Sequence, residues 1–295
     1  MENKIQLHKF YSYLDMLFKA FYLFYGKGMF LPSCKLASYL QLIIVLMLAS
    51  ISSIAAAHND VPSLVEQVKK VEKSVVGIGL LTPIESRKSQ LLGTGFVIGD
   101  GSYVVTNYHV VSKELDTKVV QNYVALEGKG TLVRTEVLEV IGVDPVHDLA
   151  LLKMKNKLTP LRLGSEAFID AGSSIFFTGF PIGAVLGLYP ATHRGIISAI
   201  APDINPSKNA NQLTIDMLSR LKNPFLIYQL DATAYPGNSG SPVFDRVSGN
   251  AIAVINKVFV SAGKESAIQK PSGITYAIPI KHVYALAKTH KVSLQ

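Results

Sequence analysis

From Val75 onward the sequence breaks into short apolar runs, each closed by Gly, Pro, Asn or Ser. Runs this short, repeated with this punctuation, build sheets that fold back on themselves, so the chain is read as all-β, a sandwich or a barrel. A first set covers Val75–Leu81, Leu91–Ile98, Tyr103–Thr106, Tyr123–Leu126, Thr131–Val143 and Leu149–Met154. Within it, Gly99-Asp100-Gly101-Ser102 supplies hairpin chemistry. A second set covers Ser174–Phe180, Gly195–Ile200, Leu226–Leu230, Pro242–Phe244, Ala251–Val260 and Ile274–Ile278. The polar stretch at 155–159 divides them, giving subdomains at about 75–156 and 160–280. Ser63-Leu64-Val65-Glu66 is a capping box that predicts a short amphipathic helix up to Lys73. Ile280–His290 predicts a closing helix. With 48% hydrophobic residues and 17% charged, the chain can bury a core and is not a disordered tail.

Residues 1–57 are set apart from this fold. The uncharged stretch from Leu36 to Ala57 contains the run Leu40–Leu48, follows Lys27 and Lys35, and ends in Ala55-Ala56-Ala57, an A-x-A pattern. A signal peptide cleaved after Ala57 is the preferred reading, with export to the periplasm or exterior. The competing reading is an uncleaved membrane anchor, since the stretch reaches the roughly 20 residues needed to span a bilayer. The ordinary look of the residues after Met29 suggests a second candidate start. The one cysteine, Cys34, falls in this leader, so a mature chain from His58 is expected to fold without disulfides. A small basic surplus with no Lys/Arg cluster argues against nucleic acid as a partner.

The strongest local signal is Pro236-Gly237-Asn238-Ser239-Gly240-Ser241-Pro242, a glycine turn before a strand. Small neighbours let a carbonyl reach the Ser239 hydroxyl. The flexible backbone lets N–H groups around Gly237, Asn238 and Ser239, chiefly those of Gly237 and Ser239, point at a developing oxyanion. A serine hydroxyl is a weak nucleophile and needs a base, and the base needs an orienting group. His109, in Thr106-Asn107-Tyr108-His109-Val110-Val111 at the end of an apolar strand, is the candidate base. Two acids compete to orient it in Asp144-Pro145-Val146-His147-Asp148-Leu149-Ala150-Leu151-Leu152. Asp148 is preferred because it abuts the buried run, whereas Asp144 before proline is a usual turn start. His147 and the pair His193-Arg194 are read as surface loop and surface hairpin. No spacing of histidines and acids suggests a metal site and no glycine loop suggests a phosphate, so no cofactor is expected.

Together these stretches resemble the trypsin-like, chymotrypsin-fold serine proteases, most closely the bacterial HtrA/Deg branch. Gly93–Ile98, Thr106–Val111, Asp144–Leu151, Gly195–Ala199 and Asp231–Gly240 match in order and span the chain from about Val75 to Ile280. The resemblance implies two perpendicular six-stranded antiparallel barrels with a triad of His109, Asp148 and Ser239 in the cleft between them. It implies polypeptide substrates, and a homo-oligomer, trimers being common in that branch. HtrA proteases usually carry PDZ domains after the protease domain. The residues after Ile280 are too few for one, so peptide sensing through such a module is not expected. By the same resemblance, Ala201–Phe225 corresponds to a loop involved in regulating HtrA-type sites, although a plain surface insertion is the preferred reading.

Substrate preference is read from three positions. Trypsin's taste for Lys or Arg depends on an acid six residues before the nucleophile, where this chain has Thr233. Glutamyl endopeptidases, which share the Ser-Gly-Ser version of the motif, use a histidine in the following strand, which here reads Ala253-Val254-Ile255-Asn256-Lys257. A pocket of Thr233, Ile255 and Asn256 is neutral and predicts small or medium apolar side chains before the cleaved bond. Two rivals are a glutamyl endopeptidase, weakened by that missing histidine, and a protease-shaped binding or chaperone protein without useful turnover.

Overall fold

The computed structural model describes residues 61–83, 89–113, 115, 119–130, 132–181, 187–203, 224–258 and 273–294, with Met16 and Lys19. Apart from these two, residues 1–57, Cys34 among them, and most of the 201–225 connection lie outside the described residues.

Helix α1 (Leu64–Val71) begins where the capping box predicts. The Glu66 N–H donates to Ser63 Oγ at 3.2 Å, and the Ser63 N–H donates to Glu66 Oε2 at 2.9 Å. Two otherwise unpaired donors of the first turn are thereby satisfied. Val71 enters the core, and the Gln67 amide bonds to the Arg246 carbonyl at 3.2 Å while Arg246 Nη1 returns a bond to Gln67 Oε1 at 3.0 Å. The amphipathic helix is thus pinned against the second half of the chain.

The first half contains β1 (Val75–Leu81), β2 (Gln90–Ile98), β3 (Tyr103–Thr106), helix α2 (Tyr108–Val111), β4 (Asn122–Lys129), β5 (Leu132–Val137), β6 (Glu139–Asp144) and β7 (Leu149–Lys153). The strands pair antiparallel in the order β5-β4-β1-β2-β3-β7-β6. Its two outermost strands, β5 and β6, are consecutive in the chain, separated only by Leu138. The run expected over 131–143 is therefore one strand bent at Leu138, pairing with β4 before the bend and β7 after it. That bend joins the two outer strands covalently and makes the sheet a six-stranded ring. Leu138 is buried, and its N–H bonds to the Tyr123 carbonyl at 2.8 Å.

The second half contains β8 (Ser174–Gly179), β9 (Ala191–Pro202), β10 (Leu226–Asp231), β11 (Pro242–Asp245), β12 (Ala251–Val258) and β13 (Ile274–Pro279), closed into a barrel in the order β10-β13-β12-β11-β8-β9. Helix α3 (Lys281–Thr289) follows. The double-barrel expectation therefore holds. Phe96, Ile98 and Leu151 of the first barrel share one buried cluster with Phe176, Phe244 and Val254 of the second, and Val283, Leu286 and Ala287 of α3 complete it. Within it Phe176 and Phe244 stack at 4.8 Å, an arrangement worth about 1 kcal/mol beyond the area it removes from water.

Candidate active site

His109 is positioned by its strand. The ladder between β3 and β7 aligns Thr106 with Ala150, so the turn that follows Thr106 lies beside Asp148. Asn107 then caps α2, and His109 sits in that single helical turn. Asp148 has φ +51, in the left-handed region that Asp tolerates better than most residues. Its carbonyl accepts from the Tyr108 N–H at 3.1 Å and from Asn107 Nδ2 at 3.0 Å. Its carboxylate accepts the His109 N–H at 2.8 Å on Oδ1, and Oδ2 lies 2.7 Å from His109 Nδ1. A carboxylate can only accept, so Nδ1 carries the proton and Nε2 presents its lone pair outward. The Asp148 side chain is 17% exposed and that of His109 48%: the carboxylate is shielded and the imidazole is open.

Ser239 lies on a turn built by glycine. Gly237 has φ +99 and Gly240 φ +86, and a Cβ on Gly240 would strike the Thr94 carbonyl and the Thr106 hydroxyl. The Asn238 N–H bonds to the Tyr235 carbonyl, the Gly240 N–H to the Ile255 carbonyl and the Ser241 N–H to the Asn238 carbonyl, at 3.0, 2.9 and 3.0 Å. Among the described residues the N–H groups of Gly237 and Ser239 donate to nothing. The amides of Asn238, Gly240 and Ser241 are thus taken by protein carbonyls, and those of Gly237 and Ser239, on either side of Asn238, are left for an incoming oxygen.

Thr94 of β2 ties this turn to the first barrel. Its N–H donates to the Ser239 carbonyl at 2.8 Å, and its hydroxyl donates to the Gly237 carbonyl at 2.7 Å and accepts the Phe180 N–H at 3.0 Å. Its own carbonyl accepts the Thr106 hydroxyl at 2.7 Å. Gly93 is the meeting point of the two halves: a Cβ there would press on Val110, next to His109, and on the Ser239 carbonyl. The Ser239 hydroxyl itself donates to the Asn256 carbonyl at 3.2 Å, not to His109.

Thr233 is half-buried on the segment leading to Ser239. Ile255 packs in the second barrel's core at 1% exposure. Only its backbone faces the site, where its N–H bonds the Ser241 carbonyl at 2.8 Å. Asn256 contributes its carbonyl.

Two sequence readings are corrected here. His147, expected as surface loop, is half-buried, with its N–H 3.1 Å from Asp144 Oδ1 and its Nδ1 2.6 Å from Oδ2. Its ring stacks on His282 of α3 at 3.8 Å, and Phe225 packs edge-on against both. Burial pushes the Asp144 carboxyl up, but the bonds from His147 and the nearby imidazoles outweigh this and hold it below the usual range. Burial, then the neighbouring His147 and Lys281, lowers His282 to about 4. His193, expected on a hairpin surface, instead lies against Phe177, with Nε2 buried.

Among the described residues no group of His, Cys, Asp and Glu is arranged to hold a metal, and no helix is long and apolar enough to cross a membrane. A carboxylate-held imidazole and a serine on a glycine turn with two free amides, mounted on two packed antiparallel barrels, define the chymotrypsin-fold serine peptidase class. The chain belongs to the trypsin-like peptidase family: the model of the trypsin-like peptidase domain matches residues 93–254. It is 32% identical over 211 residues to Protease Do-like 5, chloroplastic, of Arabidopsis thaliana, covering 69% of this chain and 58% of that protein. It is 31% identical over 195 residues to a probable periplasmic serine endoprotease, DegP-like, of Pseudomonas fluorescens, covering 66% of this chain and 34% of that one. The chain therefore spans from a third to somewhat over half of these relatives. Among solved structures it is similar to the HtrA-type protease AlgW with a tripeptide, at TM-score 0.55 and 26% identity over 77% of this chain and 63% of that one. It is also similar to Deg5, at TM-score 0.52 and 27% identity over 75% and 90%.

Proposed function

We propose that this chain is a serine endopeptidase that transfers the acyl group of a peptide to water. The carrying observation is the Asp148 carboxylate, which takes both the main-chain N–H and the Nδ1 proton of His109 and so fixes Nε2 as the base. Ser239 attacks the carbonyl, His109 removes its proton and returns it to the leaving amine, and Asp148 stabilises the imidazolium. The free amides of Gly237 and Ser239 receive the oxyanion. The hydroxyl must first leave the Asn256 carbonyl, a long hydrogen bond that a rotation about χ1 releases.

Thr233 places no acid near the substrate side chain, which favours small or medium apolar residues over charged ones before the cleaved bond. Residues 1–57 direct export or anchorage, and the substrates are exported or unfolded polypeptides. Ser239→Ala should lower hydrolysis of an unfolded protein by about 10,000-fold or more with an unchanged thermal midpoint. Normal turnover by that variant ends this reading.

The bond from the Ser239 hydroxyl to the Asn256 carbonyl favours a second reading, a protease-shaped binding protein with an idle serine. A fluorophosphonate separates the two. Labelling at Ser239 supports the peptidase, and no labelling under conditions that label trypsin supports the binding protein.

A further inference from the structure

His193 stands on β9 opposite Phe177 of β8, which is itself opposite Val243 of β11. Directly paired residues of an antiparallel ladder project to the same face. Phe177 and Val243 are buried in the second barrel's core, so the imidazole of His193 points inward. Its ring lies flat on Phe177 at 4.8 Å and 18°, and its next ring neighbour is Tyr235, at 5.9 Å. The pairing of β9 with β10 extends only as far as Ile196 opposite Asp231. Beyond it, at the level of His193, the neighbour is the segment that leaves β10 and runs through Thr233 and Tyr235 to Ser239. His193 therefore lies beneath the wall of the proposed substrate pocket.

Its Nε2 is buried and hydrogen-bonded to nothing. Buried polar atoms are nearly always paired, and an exception calls for a reason. Burial lowers the imidazole's proton affinity, so the ring is neutral near pH 7. A neutral ring nitrogen is either a donor or an acceptor according to tautomer, and a primary amide or hydroxyl satisfies both because it carries both. A carboxylate or ammonium group would lose its water and gain no countercharge from such a ring.

We infer that His193 is a specificity-determining residue, which reads the tip of the side chain before the cleaved bond and favours an uncharged hydrogen-bonding end over a hydrocarbon end of equal size. Gln is preferred to Met and Thr to Val. This rests on the peptidase reading above and refines it: the pocket excludes charge, and its far end has one polar contact. The histidine is supplied from β9, not from β12, where glutamyl endopeptidases carry theirs.

The test uses the full chain and peptides identical except at that one side chain, read as kcat/KM for Gln against Met and Thr against Val. Pairing an otherwise unpaired buried nitrogen should favour the polar member of each pair by about 10- to 100-fold. In His193→Phe, which keeps the stack on Phe177, both ratios should fall to one or below. His193→Gln, which restores a polar tip, should recover part of the preference. Thermal midpoints and fluorophosphonate labelling show that each variant is folded and active. Turnover with ratios unaltered by His193→Phe overturns the assignment, as does a wild-type chain that prefers Met and Val, or Glu to Gln. Absence of turnover on every peptide, with no labelling, instead overturns the peptidase reading on which it depends.

Discussion

The turn from Asp144 to Asp148 carries two Asp–His pairs of nearly the same geometry, and they differ in everything around them. In each, one carboxylate takes a main-chain N–H on Oδ1 and an Nδ1 on Oδ2: Asp148 at 2.8 and 2.7 Å from His109, Asp144 at 3.1 and 2.6 Å from His147. The pair at Asp148 opens its imidazole to the cleft, with His109 48% exposed. The pair at Asp144 has His147 only 23% exposed, covered by His282 and Phe225. An oriented imidazole is therefore not in itself a catalytic base. It becomes one where its second nitrogen meets substrate, and where both faces are covered the same pair serves packing.

Three measurements press on this contrast. The largest effect belongs to Asp148→Asn, which keeps the shape but lets the amide donate where the carboxylate accepted. His109 is then held in the wrong tautomer, and kcat/KM should drop by about 1,000- to 10,000-fold with a small change in thermal midpoint. If Asp144→Asn has the greater effect on rate, the roles of the two pairs are reversed. The expected result of Asp144→Asn is a loss of about 1–3 kcal/mol in stability, seen as a lower urea midpoint, and less than a tenfold loss in kcat/KM.

The smallest effect concerns acid. His282 is lowered from an ordinary 6.5 to about 4, so between these values the unfolded chain binds a proton that the folded chain does not. Its contribution to stability is whole above about pH 6.5 and is lost as pH falls toward 4. With solvent screening allowed for, that loss is about 1–2 kcal/mol. His282→Phe, which keeps a ring in the stack, should flatten this part of the stability profile and leave the pH dependence of kcat/KM unmoved. A rate profile that shifts with His282→Phe would show the two pairs to be coupled.

The sequence carried much of this. Regular punctuation from Val75 onward makes the β class legible, because strand length and turn chemistry are local. Asp148 is preferred to Asp144 because it abuts a buried strand, whereas what lays it beside His109 is the pairing of β3 with β7. What local signals could not reach were contacts made across the barrels. Thr94 reads as an unremarkable residue in a glycine-rich strand, yet it contacts the nucleophile turn through two hydrogen bonds. His147 and His193 looked like surface loop because their partners, His282 and Phe177, come from other elements. The bend at Leu138 was invisible because its cause is closure of the ring, not any turn residue.

The tether through Thr94 has a mechanical consequence. Nearly all of the nucleophile's surroundings hang from one barrel, while the imidazole belongs to the other, and this threonine fastens the two with bonds on either side of Asn238. A sliding of one barrel past the other would draw the turn from Gly237 to Ser239 along with the strand that bears Thr94, so the register between the halves and the shape of that turn are a single coordinate.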